Sequence, residues 1–560
     1  MSLNRRSFIR KIGTCAAGIG VSSALPYSAK AGPQTGVPAN DDDGPVLQIG
    51  ENIAVADTSL GKVRGFILNG IVAFRGIPYG ADTSGARRFL PPEKPRAWEG
   101  VKPAIWWGNS APQDMTNRFA DQYQSFIDHW NYDELSEDCL KLNVWTPALN
   151  DNKKRPVMVW LHGGGFVAGN AIEQDGYHGE NISRHGDIVF VSINHRLGAL
   201  GFSNFAGIAG EPFKHSGNVG MMDIVAALEW VRDNIANFGG DPGNVTISGQ
   251  SGGGAKVCTL AAMPSAKGLF HKAVALSGSS TSGLSKAYTE KLGAYILKEA
   301  GLPATEMAKL QQLPWKDYQS LANRAAAKLR SESAGKDGRR GGFSPTGDGA
   351  ILPEGPYFSD PSGLSSDIPM IVCSTFNETS PSRADATMET VSIDDVKQKL
   401  RSRFKDKTDE VIDAYSTAFP SLKPVEIWSL VASNRQAPVA IADAKSTQKA
   451  PVFLAWFGFQ PELFDNRMRA FHCLDISFWF FNTDRMYTHT GGGGKARNLS
   501  LQMTDSLLKF MRTGNPNGGG LPTWPQYSHE KGETMVLNII SEAKDDPDRE
   551  ARKHLPAIES

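Results

Sequence analysis

Apolar runs set apart by glycine-rich turns and by stretches of helical periodicity dominate the chain. Residues 156–161, 188–193, 368–373 and 451–456 are almost continuously apolar, the composition of strands covered on both faces of a sheet. Residues 244–248, β-branched at Val245, Thr246 and Ile247, predict one more strand. Between them, residues 223–238 carry Ile224, Ala227, Leu228, Val231 and Ile235 at three- and four-residue spacing, which predicts a helix with one buried face. Gly239-Gly240-Asp241-Pro242 stops it. Strands alternate with helices from about 155 to 280, so the expected class is α/β, with a mainly parallel central sheet flanked by helices. Upstream, residues 53–74 alternate between apolar and polar, with turns at Leu60-Gly61 and Asn69-Gly70; short antiparallel strands at a sheet edge follow. Downstream, residues 285–330 are amphipathic and predict a helical cap region over the sheet. Residues 331–342 read as a Gly- and Arg-rich surface loop, and Gly491 to Gly494 as a mobile surface loop without phosphate-loop spacing.

Composition narrows the classes. In 560 residues, 59 basic side chains balance 59 acidic ones with no block of like charge, so no nucleic-acid partner is expected. Five cysteines without a C-x-x-C pair make neither a disulfide scaffold nor a zinc site, and Asp41-Asp42-Asp43 reads as solvated rather than metal-binding. No apolar run reaches the 18–20 residues of a membrane span, so no stable membrane anchor is expected. Residues 1–31 have the charged start, short apolar middle and A-x-A end of a secretory signal peptide. The paired Arg5-Arg6 before Ser7-Phe8 resemble a twin-arginine signal, which exports folded proteins to a periplasmic or secreted location. Cleavage after Ala31 would remove five basic residues, leaving 54 against 59 acidic and a net charge of −5. Residues 32–50 read as a flexible leader, and 51–560 as a single domain.

The candidate chemistry sits at Gly249-Gln250-Ser251-Gly252-Gly253, directly after the 244–248 strand. This G-x-S-x-G pattern is that of a strained strand-to-helix turn that lifts a serine hydroxyl clear of the sheet, with the helix expected to begin near Gly254-Ala255. A serine needs a histidine to take its proton, and the histidine needs a carboxylate to hold its tautomer. Glu378, just past a strand end, and His472, in a loop before an aromatic segment, follow in the order Ser, acid, His. His162-Gly163-Gly164-Gly165 lies upstream at a strand end, where bare backbone amides can receive an oxyanion.

These motifs, with Gly76-Ile77-Pro78-Tyr79, Glu137-Asp138-Cys139-Leu140, Gly217-Asn218-Val219-Gly220, Phe238-Gly239-Gly240-Asp241-Pro242 and Thr513-Gly514-Asn515-Pro516, make the chain from about 53 to 540 resemble the type B carboxylesterases, the esterase/lipase family that includes the cholinesterases. The resemblance implies the α/β-hydrolase fold and ester hydrolysis through an acyl-enzyme. Ser251 would be the nucleophile, His472 the general base and acid, and Glu378 the orienting carboxylate. The amides of Gly164, Gly165 and Gly252 would form the oxyanion hole. The family usually has Asp-Glu-Gly where this chain has Asn377-Glu378-Thr379, and Glu462 is the alternative acid. Gln250 replaces the usual Glu before the nucleophile, and Gly252 the usual Ala after it. Cys139 lacks the upstream partner found in animal members, so Cys139, Cys258, Cys373 and Cys473 are expected as free thiols. Trp130-Asn131 resembles the cholinesterase segment whose tryptophan stacks on choline. Trp130, Tyr132, Phe166 and Gln250 are the candidate pocket, and the missing charge at Gln250 favours a neutral or aromatic ester over choline. The same machinery serves amidases, lactonases and polyester hydrolases, and some relatives are non-catalytic adhesion proteins. No cofactor or metal is implied. A rate rising with pH at a midpoint of about 6–7 is expected of an ordinary histidine base.

Overall fold

The computed structural model describes residues 45–115, 134–332, 341–360, 363–433 and 435–556. The expected signal peptide, residues 32–44 of the expected leader with its Asp41-Asp42-Asp43, Trp130, Tyr132 and most of the 331–342 loop lie outside the described residues. The apolar runs become the middle of a twelve-stranded sheet. In chain order its strands are β1 Leu47–Gln48, β2 Phe66–Leu68, β3 Ile71–Pro78, β4 Lys141–Thr146, β5 Arg155–Leu161 and β6 Val189–Ile193. They continue as β7 Gly240–Gln250, β8 Lys272–Leu276, β9 Met370–Thr375, β10 Val452–Phe457, β11 Glu533–Leu537 and β12 Glu542–Asp545. Spatial order departs from chain order once, where β6 lies between β4 and β5. Pairing is parallel from β6 through β5 to β11 and antiparallel outside that range. The predicted antiparallel strands at the edge are β2 and β3; Val55–Thr58 and Gly61–Arg64 pair in a separate small sheet.

The two faces of the sheet build two cores. Along β5, Val157, Val159 and Leu161 enter one apolar cluster, while Met158 and Trp160 enter the other, as the two-residue period of a strand requires. Each of the Val157, Val159, Leu161 and Met158 side chains, fully buried, is worth about 1.5–3 kcal/mol. Helices α1 Val219–Asn234 and α2 Gly252–Ala261 cover the first face. Helices α3 Lys286–Ala300 and α4 Trp315–Glu332 add Leu292, Ile296, Tyr318 and Leu321 to the same apolar cluster. Helix α5 Gly493–Thr513 packs Leu499, Met503, Leu507 and Phe510 onto the second.

Three boundaries differ from the sequence expectation. Helix α1 begins at Val219 rather than 223, and it ends as expected, with a 3-10 turn Ile235–Phe238 and a left-handed Gly239. Helix α2 begins at Gly252, not near Gly254-Ala255. The 491–494 glycines, expected as a surface loop, form a turn and a helix start. Gly491, Gly492 and Gly493, all at positive φ, turn the short helix Tyr487–Thr490 straight into α5, whose first residues are Gly493 and Gly494. A buried ion pair ties the segment after β6 to α1: Arg196 donates to both carboxylate oxygens of Asp223 at 2.8 and 2.6 Å.

Candidate active site

Strands β5 and β7 are neighbours, with Leu161 opposite Gly249, so residues 162 and 251 leave the sheet side by side at its carboxyl end. Ser251 takes φ 57°, ψ −122°, a left-handed-side conformation costly for any residue with a Cβ. Its N–H donates to Leu276 O at 2.8 Å, and its own carbonyl accepts from Ala255 N at 3.0 Å. The turn is so tight that glycine is a packing requirement. A Cβ on Gly249 would lie 2.4 Å from Gly253 C, and one on Gly253 2.0 Å from Leu161 O. A Cβ on Gly252 would lie 2.1–2.4 Å from the backbone of Gly165. The amides of Gly165 and Gly252 thus belong to touching segments, and Gly164 and Gly165 bend the loop through φ values of 81° and 61°.

Glu378 and His472 come together because residue 377 joins residue 471 in a parallel bridge. Asn377 N donates to Ala470 O at 3.1 Å, and its side-chain oxygen accepts from Ala470 N at 3.2 Å. Asn377, singled out in the sequence only as a departure from the usual Asp, is therefore the clamp that holds the histidine loop. Glu378 Oε1 accepts from Thr375 N at 2.7 Å, and Oε2 pairs with His472 Nδ1. Glu462 is exposed and pairs with Lys495 at 3.0 Å, far from this chemistry.

Burial pushes the His472 imidazole towards neutrality, but the neighbouring Cys473 and Glu378 outweigh it and hold its pKa well above the ordinary 6.5. That direction moves the expected midpoint above that of an ordinary histidine. The Gln250 amide nitrogen lies 3.2 Å from His472 Nε2 and 3.4 Å from Nδ1, and Cys473 Sγ donates to Gln250 Oε1 at 3.2 Å. Among the described residues no hydrogen bond joins Ser251 Oγ to the ring. Catalytic contacts of this kind commonly tighten only with substrate bound. Asp475, three residues on, is fully buried, and burial followed by the charge of Glu378 raises its carboxyl to about 7.

Phe166, directly after Gly165, is half-buried and edge-on to Phe202 at 5.5 Å. Trp130 and Tyr132 lie outside the described residues. The four described cysteines are free, three of them buried and Cys473 partly exposed. Among the described residues no His, Cys, Asp and Glu cluster could hold a metal ion, and no helix is long and apolar enough to cross a membrane. Sequence reasoning passed over Lys256, which sits wholly buried on α2 and donates to His162 O at 2.9 Å. On a helix read from one sequence, a lysine looks like part of a solvated face.

Comparison with known proteins gives a consistent picture. The profile of the carboxylesterase family matches residues 52–555. The para-nitrobenzyl esterase of Bacillus subtilis is 34% identical over 510 residues, spanning 90% of this chain and 98% of that protein. The phenmedipham hydrolase of Pseudarthrobacter oxydans is 32% identical over 86% of this chain and 94% of its own length. Among solved structures, an esterase of Clostridium hathewayi described as hydrolysing aliphatic aromatic polyesters superposes with a TM-score of 0.77 at 33% identity, covering 90% of this chain and 98% of that one. A carboxylesterase of Geobacillus stearothermophilus superposes at 0.74 with 32% identity, covering 90% and 100%.

Proposed function

The chain belongs to the carboxylesterase family and is a carboxylic-ester hydrolase of the α/β-hydrolase fold, and from that premise we propose how its own residues perform the reaction. Ser251 attacks the ester carbonyl while His472 takes its proton. The amides of Gly164, Gly165 and Gly252 receive the oxyanion. His472 then protonates the leaving alcohol, activates water and releases the acid from the acyl-enzyme. Glu378 fixes the imidazole tautomer and stabilises the imidazolium. The observation that carries this reading is the pairing of Glu378 with His472 Nδ1, on a ring that Gln250, the residue before Ser251, meets at 3.2 Å. Each oxyanion donor is worth about 2.7–4 kcal/mol of barrier.

Neutral and aromatic esters are the substrate class this reading favours. Gln250 brings no charge to the site, and one relative is named a para-nitrobenzyl esterase while another is described as hydrolysing aliphatic aromatic polyesters. Residues 1–31 act as a twin-arginine signal and place the mature protein in the periplasm or outside the cell. Four cysteines that are free in the folded chain support export after folding in a reducing compartment. The test is an assay of the mature protein against p-nitrophenyl esters from acetate to octanoate, an aromatic diester and acetylthiocholine. Ser251→Ala is expected to stay folded and lose turnover, and serine-directed phosphonylation to label only the parent. Comparable activity in the alanine variant would overturn the assignment.

A further inference from the structure

Behind the oxyanion loop lies a titratable cluster that the acyl-transfer scheme does not use. Lys256 is completely buried on the second turn of α2. Among the described residues its ammonium has one hydrogen-bond acceptor, His162 O at 2.9 Å, and it faces the ring of Phe166 at 5.8 Å. His162 is the residue from which Gly163, Gly164 and Gly165 depart, and its ring stacks on that of buried His195, with centroids 5.0 Å apart and planes 16° from parallel. Glu173, also buried, supplies the carboxylate whose charge reaches Lys256. An ammonium out of water costs several kcal/mol, and a methionine of similar length would fill the same slot without that cost. One acceptor and a ring face are a thin return for a merely structural residue.

We propose that Lys256 is a positioning residue of the esterase site: it pins the His162 carbonyl and holds a positive charge behind the amides that receive the oxyanion. The geometry couples the two parts. Pinning His162 O fixes the peptide plane that leads into Gly163, so the Gly164 and Gly165 amides are aimed before substrate arrives. Preorganised donors of this kind act on the transition state more than on bound substrate. The charge favours the oxyanion over the neutral carbonyl, so its effect falls on kcat rather than on KM. This inference rests on the proposed roles of Ser251 and the glycine amides.

A pH consequence follows. Burial pushes the Lys256 amine down to about 7, with Glu173 opposing. Its charge also reaches the ring of His195, where burial together with the Lys256 charge holds the pKa well below its ordinary value. The ammonium is thus present in acid and is lost as pH rises through neutrality, whereas His472 must be neutral to accept the serine proton. Together they give a bell-shaped rate profile, and the rate falls in alkali only because Lys256 must be charged.

The experiment compares the mature parent protein with Lys256→Met and Lys256→Gln, measuring kcat and KM for p-nitrophenyl acetate from pH 5 to 9, with thermal unfolding alongside. Both variants are expected to lose at least about tenfold in kcat, equivalent to about 1.4 kcal/mol, with KM within twofold. The falling limb should disappear in both. Unfolding temperature should not drop in the Met variant, and if that variant does not fold, the Gln variant is read by the same criteria. Unchanged kcat with the falling limb intact, or a loss confined to KM, overturns the proposal. Ser251→Ala in the same series separates the two readings. If it abolishes turnover while the Lys256 variants behave as the parent, only the role of Lys256 fails. If it still turns over, the site assignment fails and this inference with it.

Discussion

Gly253→Ala tests whether the elbow and the oxyanion loop are built as one piece. The added Cβ would lie 2.0 Å from Leu161 O, 2.9 Å from Leu161 C and 3.0 Å from His162 O, where ordinary contact is 3.4–4 Å. All three atoms are backbone, at the buried tip of β5, so no side chain can swing aside. Relief requires the β5 tip and the α2 start to part by about 1 Å, the scale of misplacement that costs about 10²-fold in rate. Overpacking of this kind destabilises by about 1–3 kcal/mol. Gly268→Ala is the control: Gly268 has φ 77° but open space where a Cβ would go, so it pays only the left-handed penalty of about 1–2 kcal/mol and leaves the site alone. The assay is kcat and KM on p-nitrophenyl acetate with thermal unfolding of both variants. Gly253→Ala should lose about 10²-fold in kcat, and Gly268→Ala should keep parent activity. Turnover within threefold of the parent in Gly253→Ala would refute the reasoning.

Three further outcomes are expected. Because Glu378 and Cys473 hold the His472 pKa above 6.5, the rising limb of the rate profile should have its midpoint above that value. Glu378→Gln should move the midpoint down while lowering kcat by about 10²–10⁴-fold, and an unmoved limb would count against the pairing. The same raised pKa contributes stability that is complete below the unfolded value of about 6.5 and is lost as pH rises through the folded one, so the Glu378→Gln penalty in unfolding midpoint should shrink in alkali. Arg196→Met leaves Asp223 buried without its partner, which should cost about 3–5 kcal/mol in urea unfolding; Arg196→Met with Asp223→Leu should recover most of it, and a single variant as stable as the parent refutes the account. A thiol reagent should modify Cys473 quickly and Cys139, Cys258 and Cys373 only on unfolding, since burial pushes the Cys258 thiol up to about 12 and raises Cys139 and Cys373 well above the ordinary value; rapid reaction of the buried three would contradict that packing.

What could be read in the sequence was what a local pattern encodes. The continuous apolar runs marked β5, β6, β9 and β10 because strands buried on both faces leave no place for polar side chains. Helix α1 was legible from its spacing. Helix α2 was misplaced by two residues because Gly252 and Gly253 read as loop. They are helical and lack side chains only because the Gly165 and Leu161 backbones occupy the space. Strand β7 starts at Gly240, in a segment of poor β propensity, because it pairs there with Arg155 before the register shifts. The site residues missed were those defined by contact across long separations. Asn377 reaches Ala470, Cys473 reaches Gln250, and Lys256 reaches His162. No periodicity announces such partners.

The order of the strands also sets when the protein becomes active as it is made. The serine elbow needs β5, β7 and β8, all laid down by residue 276. Its histidine arrives 222 residues after Gln250, about 10–45 s later at ordinary synthesis rates, and β11 and β12 close that side of the sheet later still. On the proposed roles of Ser251 and His472, a chain cut short before residue 472 would hold the serine without its base. The proposed triad would thus be assembled late in synthesis, long after the strands that carry the serine, so that a partial product would not act on esters of the cell that builds it.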